Sequence, residues 1–232
     1  MRRAAEPSPW LAGRRAVREI AAPASLVLVA SAGFVVAYYN VPAVRASLEN
    51  LADLRRAHGL LFAAGLTSLT AGLVPWGFRM LLPGLRPSRP WPDLLHSLVW
   101  WAIMGLTVDQ LYRTLTTLFG DTPTPGVVLS KVACDMLLFT PLVASPGNAL
   151  SHLWKDSGWD LARIRAQLSP GWYRRLVVPN LIPNYFVWLP GTAIFYCMPA
   201  DLQLVVANCI GCCWGLMCAR IAAHTGGPEP LA

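Results

Sequence analysis

The sequence predicts an all-α fold: a multi-pass transmembrane helical bundle of about six spans, four at the least, with a kinked, proline-rich fifth span. Two observations carry this. The chain is 55% hydrophobic with a mean hydropathy of +0.45. Only 13% of its 232 residues are charged, against about 25% in soluble domains, which need charge to cover their surface. Ten tryptophans fit the same class, because indole favours the membrane–water interface.

Six apolar segments follow in order, at about 21–41, 57–80, 93–118, 126–145, 177–199 and 201–222. Each is near the ~20 residues that cross a hydrocarbon core. Residues 1–20 form a basic flank with five arginines and two glutamates. This composition fits a targeting segment, but a flank fixing the first helix is favoured. The second segment ends on Gly-Leu-Val-Pro-Trp-Gly-Phe, with a proline near its end. Residues 223–232 read as a flexible tail.

Net charge is +7. In a soluble protein that would suggest nucleic acid, but here the cations lie mostly between apolar segments. With the N-terminus inside and six spans, fourteen Lys/Arg fall inside and five outside. The positive-inside rule then places both termini on the cytoplasmic side. The long polar connection at 146–176 contains an amphipathic stretch, with Trp159, Leu161, Ile164 and Leu168 at helical spacing. It reads either as an interfacial helix or as a connection packed on the bundle end.

The cysteines (Cys134, Cys197, Cys209, Cys212, Cys213 and Cys218) all lie in predicted spans and read as packing residues, not as a disulfide framework. A Cys209–Cys212 redox pair is the alternative. Ala207, Gly211, Gly215 and Ala219 recur every four residues, as do Ala64, Ser68 and Gly72. Such small-residue faces let helices approach closely in lipid.

Polar groups inside a membrane are costly and mark candidate sites. Asp109, Gln110 and Arg113 lie in the third span, and Lys131 and Asp135 in the fourth. Asn180 and Asn184 lie in the fifth, Asn208 in the sixth. Asp109 and Arg113 are four apart, as are Lys131 and Asp135, so each pair shares a helix face. Two readings stand: a polar pathway or gate, or structural ion pairs that fix helix register. The four histidines lack metal-ligand spacing. No nucleophile motif, Walker loop or dinucleotide fingerprint occurs. The chain is therefore expected to be neither an enzyme nor a binder of metal or cofactor.

Three blocks stand in a recognisable order: Gly105, Tyr112 and Leu115; Lys131, Asp135 and Pro141; Asn184, Tyr185, Trp188 and Pro190. Phe195-Tyr196, Pro199 and Trp214 follow. In these blocks residues 57–222 resemble the Mpv-seventeen and peroxisomal-membrane-protein-twenty-two family, leaving 21–56 as an extra N-terminal membrane segment and loop. Departures exist. Met136 stands where the family has Gln, Leu106 and Leu111 replace its Pro and Trp, and an extra Leu189 precedes Pro190. The Gln, Asn and Arg usual after the Trp-Pro are missing, as is the Gly-Asp expected near Leu73–Pro75.

The resemblance implies a weakly selective channel or small-solute transport protein. Asp109, Lys131, Asp135 and Asn184 would be polar pathway or gate residues; Gly105, Tyr112, Pro141, Tyr185, Trp188, Pro190, Pro199 and Trp214 would be structural. A non-conducting scaffold packing through small-residue faces is the alternative. As a divergent member, the chain is expected in a bacterial cytoplasmic membrane, with an organellar one, mitochondrial inner or peroxisomal, as the alternative. Expected partners are the bilayer, small solutes or ions, and further copies of the chain, but not nucleic acid.

Overall fold

The computed structural model describes residues 9–224. The expected tail at 225–232 and the side chains of Cys218 and Ala219 lie outside the described residues. All regular structure among the described residues is helical. Helix α1 spans Pro9–Asn40 and α2 Pro42–Thr67. A π-helical turn at Ser68–Leu73 joins α2 to α3, Val74–Leu81. Helix α4 spans Pro90–Phe119, and α5 Pro125–Cys134. A second π stretch, Asp135–Ala144, runs into α6, Ser145–Asp156. The short α7, Leu161–Gln167, and a π turn at Tyr173–Val177 lead to α8, Val178–Tyr196, and α9, Ala200–His224.

Six helical segments thus run between two ends. At one end the turns after α1, α4 and α8 meet: Tyr39 Oη donates to the Cys197 carbonyl at 2.6 Å, and the Ala200 N–H to Asp121 at 3.0 Å. At the other end the first turns of α4 meet the last turns of α6, through Lys155 Nζ on Asp93 at 2.8 Å and His96 Nε2 on Ser151 Oγ at 2.8 Å. Among the described residues four stretches are long and apolar enough to cross a membrane: Ile20–Asn40, Pro42–Leu81, Pro90–Phe119 and Pro125–Asp156. Helix α8 is not among them, since its prolines and asparagines lower its hydropathy. Within α9 the apolar described part is Ala200–Leu216.

Several boundaries differ from the sequence reading. Helix α1 begins within the expected flank, at Pro9. Residues 42–56, read as loop, are the first half of α2; proline at the first helical position suits a helix start. The backbone leaves helical geometry in α2 at Gly59, with φ 49° and ψ −118°, a conformation that favours glycine. The fourth segment continues past Pro141 and Pro146 to Asp156. Proline 141 has no N–H to offer the carbonyl one turn back, and the π stretch that contains it absorbs the defect. Only Leu161–Gln167 of the amphipathic stretch is helical, and Trp159, at φ 67°, precedes it.

Helix α8 runs unbroken through Pro183 and Pro190. The carbonyls that these prolines leave without a donor four residues on are those of Pro179 and Phe186. Asn180 and Thr192 do not supply them; they donate to Leu176 and Leu189 at 3.1 and 3.0 Å. Pro199 follows α8, and its carbonyl accepts from Leu202 at 2.8 Å as α9 starts.

The small-residue faces are spent within the chain. A Cβ on Gly211 would meet Trp188 at 3.4 Å, and one on Gly215 would meet Pro75 at 3.4 Å. One on Gly72 would meet the Ser97 carbonyl at 3.3 Å, and Ser68 Oγ donates to the Leu98 carbonyl at 2.9 Å. Helix α1 lies along α8 and α9, with Ile20, Ala24, Val35 and Tyr38 buried in the core. The described cysteines are all free, Cys209 and Cys212 included.

Candidate functional site

Two polar clusters occupy the half of the bundle nearer the Asp201 end. The first is an ionic chain across α2, α4 and α9. Arg55 is 4% exposed and Asp109 fully buried. Arg55 reaches Asp109 at 2.6 Å and Asp201 at 2.5 Å. Arg113 holds the second oxygen of Asp109 at 2.6 Å. Arg56 joins Asp201 at 2.7 Å and Asp53 at 2.5 Å. The expected Asp109–Arg113 pair is present, but the buried partner of Asp109 is Arg55. Leu48, Ala52 and Arg55 recur at helical spacing on the buried face of α2, which is why Arg55 points inward.

The second cluster lies between α4, the α5–π segment and α8. Asp135, 5% exposed, accepts from Tyr196 Oη at 2.8 Å and from Thr140 Oγ1 at 3.4 Å. Lys131, 1% exposed, donates to Thr116 Oγ1 at 3.1 Å. Its Nζ sits 5.9 Å from the centre of the Tyr196 ring, within cation–π range. Lys131 and Asp135 share a face but form no ion pair; among the described residues neither has an oppositely charged group within 4.0 Å. Hydroxyls have replaced the partner expected four residues away. Tyr112 connects the two clusters: it lies one turn from Asp109 on α4 and packs on Phe195 and Tyr196 at 5.1 and 5.4 Å.

The structure therefore brings Asp109, Lys131 and Asp135 to one region and leaves Asn184 apart. Asn184 lies twelve residues before Tyr196 on α8, about 18 Å along the axis, and its buried Oδ1 has no hydrogen-bond partner. The neighbouring Tyr185 Oη donates to the Met136 carbonyl at 2.8 Å, and Tyr173 Oη to the Pro141 carbonyl at 2.8 Å. Gln110 and Asn180 face outward. Asn208 belongs to a separate network, donating to Thr67 Oγ1 at 3.2 Å and accepting from Thr70 Oγ1 at 2.6 Å.

Of the remaining signature residues, Gly105 is where α4 touches α2, and Trp188 and Trp214 pack against the core. Pro190 is exposed. No group of three or more His, Cys, Asp or Glu that could hold a metal occurs among the described residues.

The hydroxyl of Tyr196 is the closer of the two donors to Asp135. Tyr196→Phe is expected to destabilise the protein by about 1.5–3 kcal/mol, the range for hydrogen bonds to charged groups. Tyr185→Phe removes a bond to a neutral carbonyl and is expected to cost about 0.5–1.5 kcal/mol. Thermal unfolding of the two variants in one detergent tests this order.

The chain is 29% identical over 133 residues to Protein SYM1 of Eremothecium gossypii, an alignment covering 55% of this chain and 67% of that protein. No family model matches the chain, and no solved structure matches it. With the spans and this likeness together, one conclusion is plain. The chain is an integral membrane protein. Among the described residues its four long apolar spans are joined in an all-helical, multi-pass bundle.

Proposed function

We propose that the chain is a divergent member of the Mpv-seventeen and peroxisomal-membrane-protein-twenty-two family and a weakly selective channel for small ions or solutes. The three ordered blocks and the likeness to Protein SYM1 support the family reading. The pathway reading rests on one observation: Lys131 and Asp135 are buried four residues apart in a membrane span and are not paired with each other. A charge in a membrane interior costs several kcal/mol unless it is compensated. Register-fixing ion pairs would compensate both. Hydroxyl partners leave neither charge neutralised, so in this reading each acts on an ion that passes beside it.

In this reading the ionic chain from Asp53 to Arg113 closes the pathway at the Asp201 end. Its three arginines and three aspartates balance, so the closure carries no net field of its own. Tyr112 and Tyr196 form the wall between the closure and the two unpaired charges.

The test is planar-bilayer recording of the purified protein beside Asp135→Asn and Lys131→Met. Currents above those of empty bilayers are expected, with conductance altered in both variants. Wild-type protein that folds and inserts but passes no current would support the non-conducting scaffold instead.

A further inference from the structure

The bundle end opposite Asp201 carries a feature that the pathway does not use. Between α6 and α8 the chain runs outside the helical core from Trp154 to Arg175. Most of it is exposed, including its apolar side chains: Leu161 is 66% exposed, and Trp154, Trp159 and Leu168 are also exposed. Trp159 packs on Trp154 and His96, at 5.2 and 5.6 Å between ring centres, and Trp91 stands exposed nearby beside Trp76.

Charge at this end is one-sided. The two connections that meet here, residues 79–93 and 154–175, hold eight Lys/Arg against three Asp. At the opposite end, the first half of α2 with the residue before it, at 41–56, and the turns at 119–125 and 197–201 hold three Arg against four Asp/Glu. Not all the cations at the basic end are free. Arg79 and Lys155 are bound to Asp93, and Arg175 is spent on the carbonyls of Gln167 and Pro170 and on Ser169 Oγ. Arg163 touches Asp160 only at 3.4 Å. Arg165 and Arg174 are exposed and make no hydrogen bond or ion pair among the described residues.

Both ends of this segment are fixed to membrane-crossing structure: Lys155 through Asp93 on α4, and Tyr173 through the Pro141 carbonyl. The segment is therefore held at the membrane–water boundary. Exposed indoles and leucines beside free guanidinium groups at that depth match lipid chains below and lipid phosphates above.

We infer that residues 154–175 form a docking surface for anionic phospholipid headgroups, with Arg163, Arg165 and Arg174 as the phosphate contacts and Trp154, Trp159 and Leu161 as the apolar anchor. The inference is independent of conduction. It needs only that the chain spans the bilayer.

The test uses the full chain in a mild detergent, titrated with acyl-chain-dansylated phosphatidylglycerol or phosphatidylcholine, reading energy transfer from protein tryptophan. Preference for phosphatidylglycerol is expected, weakening as salt is raised. Each arginine replaced by glutamine should reduce that preference about fivefold, while phosphatidylcholine binding stays unchanged and so reports an intact fold. Arg86→Gln and Arg89→Gln, at the same end but outside the segment, are expected to have less effect. Equal binding of the two lipids by the wild-type chain overturns the inference. So does a preference that survives removal of all three arginines, or displacement of the lipid by inorganic phosphate at concentrations matching its own.

Discussion

Replacing Arg55 with methionine destabilises the folded protein by about 3–5 kcal/mol, the range for removing one member of a buried ion pair. The size follows from what is left behind. Asp109 is fully buried and keeps only the half-exposed Arg113; Asp201 keeps Arg56. Methionine fills the space of the alkyl stem, so the loss reports the guanidinium and not a cavity. The partner substitution Asp109→Asn removes the stranded charge. In the double variant the loss is therefore smaller than the sum of the two single losses, as expected for groups in direct contact. Equilibrium unfolding of the four proteins in one detergent reads both numbers. A loss below about 1 kcal/mol for Arg55→Met, the scale of an exposed pair, would show that the ionic chain does not hold α2, α4 and α9 together.

Gly105→Ala is the second large effect, and its sign decides the reason for the glycine. In a helix interior, alanine is better than glycine by up to about 1 kcal/mol. At Gly105 that gain is overwhelmed. An added Cβ would stand 2.6 Å from the Ala63 carbonyl oxygen and 2.6 Å from Thr67 Oγ1. The carbonyl belongs to the α2 backbone and cannot turn aside, so α2 and α4 must separate. Thr67 also accepts the 3.2 Å bond from Asn208, so the strain reaches α9. Overpacking of this kind costs about 1–3 kcal/mol, and more where backbone must move. Gly65 is the control. It stands between Ala63 and Thr67 in the sequence of α2 but is exposed, and a Cβ there meets nothing within 4 Å, so Gly65→Ala should be neutral or stabilising. Thermal unfolding of the pair is sufficient, and a stabilised Gly105→Ala would contradict the close approach.

The bundle was readable from sequence because span length and apolar composition are local properties. The candidate site was readable only in part. Asp109, Lys131 and Asp135 announce themselves as charges in apolar runs. Arg55 does not, because residues 42–56 are polar enough to read as loop, although the spacing of Leu48, Ala52 and Arg55 already marks one helix face. Tyr196 as the donor to Asp135 is 61 residues away in sequence, and no periodicity encodes that contact. The i, i+4 spacing of Lys131 and Asp135 suggested a pair that does not form. Spacing permits contact; Thr116, Thr140 and Tyr196 decide against it.

The stretch around α8 shows the same limit. Its prolines suggested a kinked span, and its residues form one helix from Val178 to Tyr196. Its apolar character suggested a span like the others, yet its hydropathy falls short of the four that qualify. It packs against α1, α5 and α9, with Val187, Gly191, Thr192, Phe195 and Tyr196 on its buried side.

The central claim, that Lys131 and Asp135 face a conducting path, is tested most directly by reversal potentials in planar bilayers under a salt gradient. Lys131→Met removes a positive charge from the path and should shift permeability toward cations. Asp135→Asn removes a negative one and should shift it toward anions, so the two variants move the reversal potential in opposite directions from wild type. Shifts of the same sign, no shift in either variant, or no current at all from correctly folded protein would contradict it.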